Sequence, residues 1–231
     1  TKLTAGTCDV GIQPSAAFSG TPLQGCVPLT VNFTDQSTDV PTSWEWDFKN
    51  DGTATSTTQN ASYNYKTPGT YYVKLTASNA SGTNSITRTS YINVYAPPTV
   101  DAGTDKVVCY GATAQLGGAP TASGTLPPYT YSWNPTTGLD NPALPNPTVT
   151  ATSLVPVVYT VTVTDGRTCV AQKTVTVSTF PRTVVNAGSD KSICFGGNTL
   201  VGGTPTASGG TPPYTYAWTP TTGLTNATTA N

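Results

Sequence analysis

Residues 101–146 and 186–231 carry nearly the same text, without a gap. "DAGTDKVVCYGATAQLGGAPTASG" at 101–124 stands against "NAGSDKSICFGGNTLVGGTPTASG" at 186–209, and "PPYTYSWNPTTGLDN" at 127–141 against "PPYTYAWTPTTGLTN" at 212–226. Repetition at a domain-sized offset means that one folding solution is built more than once along the chain. In this register Cys109 aligns with Cys194, Tyr129 with Tyr214, Tyr131 with Tyr216 and Trp133 with Trp218. The second copy stops before any counterpart of "VVYTVTVTDGRTCVAQKTVTV" at 157–177. A half-sandwich leaves an apolar face and strand edges bare. The expectation is therefore that the native chain continues, with a neighbouring molecule supplying the missing strands as the alternative.

The strands announce themselves by alternation. In "VVYTVTVTD", Tyr159, Val161 and Val163 alternate with Thr160, Thr162 and Thr164, which gives one buried and one wet face. "PLTVNFT" does the same with Leu29, Val31 and Phe33, and "TYYVKLTAS" with Tyr71, Val73, Leu75 and Ala77. "SWEWDF" puts Trp44, Trp46 and Phe48 on one face, and "SYINV" ends with Ile92 and Val94. Thr makes up roughly a fifth of the chain, and 22 Gly and 20 Pro punctuate it. Short strands separated by turn signals at this spacing predict all-β sandwiches. Proline follows the final strand of each unit in "YAPPTVDAG" and "FPRTVVNAG" and stiffens the linkers. The boundaries expected are 1–96, 97–181 and 182–231, in a semi-rigid linear array.

Several function classes fall away on composition. Only 9% of residues are charged and the net charge is −1, so the basic stripe of a nucleic-acid binder is missing. Apolar stretches are strand-sized, far short of the ~20 residues of a spanning helix. The chain has no His, which removes Ser-His-Asp and Cys-His catalysis, and the acidic residues sit mostly in turns. No enzyme is expected. The five cysteines, Cys8, Cys26, Cys109, Cys169 and Cys194, form no CxxC pair and suit disulfides in an oxidising compartment better than zinc.

"SWEWDFKNDGTATSTTQNASYNYKTPGTYYVKLTASNASG" resembles the PKD (polycystic kidney disease) domain family. The family's pattern is Trp-x-Phe-Gly-Asp-Gly, then Tyr-x-Tyr and Pro-Gly-x-Tyr-x-Val-x-Leu. Trp46, Asp47 and Phe48 match its opening. Lys49-Asn50-Asp51-Gly52 departs from it by one extra residue and the loss of the first Gly. The resemblance covers about residues 13–96 and implies an immunoglobulin-like sandwich. Residues 97–231 resemble the immunoglobulin-like repeats of large Bacteroidetes surface proteins, gliding-motility adhesins among them. These resemblances imply an extracellular location, on a bacterial cell surface or secreted. They imply a stalk segment of a long adhesin or surface filament, with further repeats or neighbouring copies as partners. The alternatives are an accessory glycan- or substrate-binding module of a secreted hydrolase, and a polymerising subunit.

The order Cys109, Trp133, Cys169 is similar to an immunoglobulin core, which implies a Cys109–Cys169 bridge and leaves Cys194 without a partner in the chain. Cys8 either pairs with Cys26 or closes a domain upstream. Asp47, Asn50 and Asp51 are candidate calcium ligands; the alternative is that they accept backbone hydrogen bonds within the turn. Calcium is the one cofactor these ligands would suit. The aromatics Trp46, Phe48, Tyr129, Tyr131, Trp133, Tyr214, Tyr216 and Trp218 are expected in sandwich cores. Exposed Trp44 and Tyr72, or the Pro128 cluster, would instead offer stacking faces to a glycan.

Overall fold

The computed structural model describes residues 11–124 and 126–231. They form two units. Unit 1 comprises the described residues up to Thr99 together with Ser123–Tyr129 and Val163–Ala171; unit 2 comprises Val100–Ala122, Thr130–Thr162 and Gln172–Asn231.

The first seven strands are β1 (Phe18–Thr21), β2 (Gln24–Cys26), β3 (Leu29–Asp35), β4 (Ser43–Asp47), β5 (Ala61–Tyr65), β6 (Gly69–Asn79) and β7 (Gly82–Tyr95). They make a three-stranded sheet in the order β1-β3-β5 and a four-stranded sheet in the order β2-β7-β6-β4. The pairings are antiparallel except that β2 runs parallel to β7. The alternation in β3 lands as expected: Leu29, Val31 and Phe33 are buried, and Thr30 and Asn32 between them are exposed. Trp46 and Phe48 are fully buried, as is the Val73, Leu75, Ala77 face of β6.

An aromatic chain fills this core. Phe18 meets Trp46 edge-on at 5.3 Å, Phe33 stacks on Phe48 at 4.9 Å, and Phe48 stacks on Tyr63 at 4.8 Å. Tyr65 continues it to Tyr71 at 4.5 Å. Such contacts add about 0.5–1.5 kcal/mol each beyond the area they bury. Buried Tyr65 keeps its hydroxyl satisfied by donating to the Phe48 carbonyl at 3.0 Å.

The later strands are β8 (Thr99–Val100), β9 (Lys106–Cys109), β10 (Thr113–Gln115), β11 (Ala122–Ser123), β12 (Thr130–Asn134), β13 (Thr148–Thr150), β14 (Val157–Thr164), β15 (Val170–Phe180), β16 (Val184–Val185) and β17 (Ala207–Ser208). Their main sheet has the order β12-β14-β15-β9, with β9 parallel to β15, and β10 pairs with β13. Leu116, Trp133, Val149, Tyr159, Val161, Val175 and Val177 are buried in unit 2.

Part of the sequence repeat returns as equivalent hydrogen bonds. Asp101 N donates to Thr121 O at 2.9 Å, and Asn186 N to Thr206 O at 2.8 Å. Gly118 N donates to Asp101 O at 2.9 Å, and Gly203 N to Asn186 O at 2.8 Å. Trp133 Nε1 donates to Leu144 O at 3.1 Å, and Trp218 Nε1 to Thr229 O at 2.9 Å. The shared "AG" has a steric reason. Gly103 and Gly188 have φ of 80° and 83°, and a Cβ on either would stand 2.7 Å from the carbonyl oxygen of Gly117 or Gly202.

Burial pushes the Tyr65 hydroxyl well above its ordinary pKa, with smaller contributions from Tyr63, Tyr71 and Asp47. The folded state therefore holds this proton more tightly than the unfolded state. Its contribution to stability is whole below the unfolded tyrosine value of about 10 and is lost as pH rises above it. Tyr65→Phe should cost about 1 kcal/mol at pH 7, through the Phe48 carbonyl it leaves bare, and should flatten the loss of stability above pH ~10. Urea titrations at neutral and alkaline pH measure both; an unchanged alkaline slope would contradict the assignment.

Candidate functional site

Two polar turns and a disulfide gather the residues singled out by chemistry. The first turn joins β14 to β15 and reads Asp165-Gly166-Arg167-Thr168-Cys169. Buried Asp165 organises it: one carboxylate oxygen accepts from Arg167 N and Cys169 N, each at 2.9 Å. Asp165 N donates to Cys169 O at 3.0 Å and Thr168 N to Asp165 O at 2.9 Å, closing the turn on itself. Cys169 is held there fully buried and bonded to Cys26, with a Cα–Cα distance of 5.4 Å. Arg167 lies over the Tyr95 ring at 4.2 Å, a cation–π contact. Cys26, Tyr95 and this turn all belong to unit 1.

The Cys26–Cys169 bond replaces both expected pairings. Cys109 is exposed and free. It stands opposite Phe180, at the C-terminal end of β15, whereas Cys169 immediately precedes the N-terminal end of that strand. At about 3.3 Å per residue the two cysteines lie on the order of 30 Å apart, far beyond the ~7 Å Cα–Cα limit for a disulfide. The antibody-like order misleads because β9 runs beside the last strand of its sheet. Cys26, with its sulfur in the bond to Cys169, is closed to Cys8, which lies outside the described residues. Cys194 is free and exposed.

The second turn follows β4. Asp47 is buried, and its carboxylate accepts from Lys49 N at 3.1 Å, Asp51 N at 3.3 Å and Gly52 N at 2.8 Å. Asn50 takes a left-handed φ of 53°, which asparagine tolerates and which accommodates the extra residue of this turn. Asp51 is exposed, and its Oδ1 accepts from Thr53 N at 3.0 Å. Most of the Asp47 lone pairs face backbone N–H groups. Among the described residues no group of three or more His, Cys, Asp or Glu is placed to hold a metal.

The repeat aromatics divide. Trp133 is buried, while Tyr129, Tyr131, Tyr214, Tyr216 and Trp218 are only half-buried, which corrects the expectation that all six lie in the core. Tyr129 stands just before β12. Trp44 is half-buried and donates through Nε1 to Asp35 Oδ2 at 2.8 Å, whereas Tyr72 is exposed.

Comparison with known proteins decides the identity of the first sandwich. The PKD domain family matches residues 13–94. Residues 13–94 are a PKD domain. The PKD1 domain of Vibrio anguillarum Epp is 31% identical and aligns over 37% of this chain and 99% of its own length, with a TM-score of 0.30. The carbohydrate-binding modules of a β-sandwich superfamily, whose structure is titled for their promiscuous specificity, are 26% identical over 66% of this chain and 55% of theirs, with a TM-score of 0.35. The N-terminal eight Ig domains of Down Syndrome Cell Adhesion Molecule are 15% identical over 72% of this chain, with a TM-score of 0.36; the match spans 24% of that fragment. No curated protein sequence matches the chain. PKD and immunoglobulin-like domains are in general non-catalytic, extracellular modules for adhesion or carbohydrate binding. The disulfide fits that compartment. Among the described residues no helix is long and apolar enough to cross a membrane.

Two outcomes follow from these turns. Asp47→Ala should lower stability by about 1–2 kcal/mol, because it removes the buried charged acceptor of three part-buried backbone N–H groups. Calcium should leave the wild-type melting midpoint unchanged, and a clear upward shift would contradict the turn assignment. Cys26→Ser should destabilise unit 1 by about 2–4 kcal/mol, read as a lower unfolding midpoint that reducing agent no longer shifts.

Proposed function

We propose that the chain is a non-catalytic structural segment of an extracellular surface protein, a stalk of a long adhesin or surface filament on a bacterial cell. The observation that supports it best is the hydrogen-bond framework that recurs at an 85-residue offset, as in the paired Trp133 and Trp218 contacts. A chain that makes the same domain again beside itself adds length without adding a new site. The chemistry agrees: the alternating faces are spent on cores, and the acidic turns spend their carboxylates on backbone donors. The role is then mechanical. Sandwiches in series carry a binding region or the next subunit outward, and the disulfide limits how far the chain pays out under load.

Pulling the full chain from its two ends tests this. With the Cys26–Cys169 bond intact, the 143-residue separation between the two cysteines is shielded from extension. At ~3.6 Å per residue, reduction should release about 500 Å of additional length. Stepwise unfolding with that reductant-dependent increment supports a load-carrying segment. An unfolding length indifferent to reductant would contradict it. Selective binding of the same full chain on a glycan array would favour the accessory-module reading instead.

A further inference from the structure

Cys26 and Cys109 occupy the same place in two different sheets. Cys26 ends β2, which runs parallel to the last strand of its sheet and pairs with Tyr95, the final residue of β7. Cys109 ends β9, which also runs parallel to the last strand of its sheet and pairs with Phe180, the final residue of β15. The next backbone bond is shared as well: Val27 N donates to Tyr95 O at 3.0 Å and Tyr110 N to Phe180 O at 3.1 Å. A short polar linker with proline follows in each case. The equivalence extends to the side chain beside the sulfur. Tyr95 offers its ring to Arg167, and Phe180 offers an exposed aromatic ring at the matching position.

Cys26 is bonded. Its partner Cys169 sits in the Asp-Gly-x-x-Cys turn of the repeat that comes after the PKD domain in the chain. We infer that Cys109 is the receiving half of a second such disulfide, whose other half is the Asp-Gly-x-x-Cys turn of the repeat that follows its own. Cys194, 85 residues beyond Cys109 in the same repeat text, is the next receiving half in the series. Each domain then carries one receiving cysteine beside its last strand, and each repeat carries one donating cysteine in its β14–β15 turn. The turn's arginine stacks on the aromatic residue that ends the last strand beside the receiving cysteine. The inference rests on the internal equivalence of the two cysteines and not on the stalk role, so the two can fail separately.

The bond forms by thiol–disulfide exchange with a disulfide oxidant. The Cys109 thiolate attacks the oxidant's disulfide, releasing one thiol and leaving a mixed disulfide. The turn cysteine's thiolate then attacks the Cys109 sulfur and releases the second thiol. Two protein thiols are oxidised, one oxidant disulfide is reduced, and two protons pass to the released thiolates.

The test extends the full chain in register. Residue 231 aligns with residue 146, so a second copy of residues 147–181 appended after Asn231 completes the second repeat and restores its turn cysteine. The extended chain is oxidised in a glutathione redox buffer and its disulfides are mapped by mass spectrometry of unreduced peptides. The expected result is Cys26–Cys169 together with Cys109 joined to the appended turn cysteine, Cys109 lost from the pool that iodoacetamide alkylates, and Cys194 still alkylated. A Cys109 that stays alkylated, or an appended cysteine joined to Cys194, overturns the inference. Should the appended strands fail to fold, seen as Trp218 emission that does not shift to that of a buried indole, Cys26→Ser in the 231-residue chain frees Cys169 to act between molecules. Cross-links from Cys169 of one copy to Cys109 or Cys194 of another then support the inference. Only symmetric Cys109–Cys109 and Cys194–Cys194 cross-links overturn it.

Discussion

A parallel pairing at the end of each complete sandwich underlies much of what distinguishes this molecule. A hairpin cannot join parallel neighbours, so β2 and β9 reach the last strand of their sheets from the far end of the chain segment. That pairing covers the outer edge of β7 and of β15, which would otherwise stand open to another strand. It also brings an early residue beside the last one, Cys26 beside Tyr95 and Cys109 beside Phe180. Chemistry placed there acts at the end of the last strand of its sheet.

Few charges are available to this chain, and uncharged and carboxylate oxygens organise its turns instead. Asp47 and Asp165 each receive two or more backbone N–H groups, and both are buried. Charge-assisted bonds offset the lost hydration of a buried carboxylate; Asp47 takes three such donors, whereas both donors to Asp165 share Oδ1 and its Oδ2 has no partner among the described residues. Asp101 and Asn186 show that the charge itself is dispensable at an equivalent, exposed place. Asp101 Oδ1 accepts from Gly103 N, and Asn186 Oδ1 accepts from Gly188 N, at 2.9 Å in both.

Alternation made the strands legible. Leu29, Val31 and Phe33, and likewise Tyr159, Val161 and Val163, are buried because period-2 patterning is a local property that pairing only completes. The PKD motif made the first sandwich legible in the same way. The disulfide was not legible, because pairing depends on which strand ends meet, and cysteine order carries no information about that. The one usable signal was positional: Cys26 and Cys109 precede the end of their units' last strands by similar lengths of chain. The Asp47 turn was readable only as two alternatives, since oxygens that bind calcium and oxygens that accept backbone N–H groups look alike in sequence.

Trp133 and Trp218 separate what is local from what is not. Their surroundings in sequence are nearly identical, their indoles donate to equivalent carbonyls, and their backbone N–H groups bond equivalent residues, Pro142 and Ala227, at 2.9 Å each. Trp133 is nonetheless buried and Trp218 half-buried. Trp133 lies in β12, which pairs with β14 of the later half of its repeat, whereas Trp218 lies in no strand. The turn framework is thus encoded within about fifty residues. The core is encoded across the whole repeat, because desolvating an indole needs strands from both of its halves. The contacts of the turns are therefore short-range in sequence and those of the core long-range.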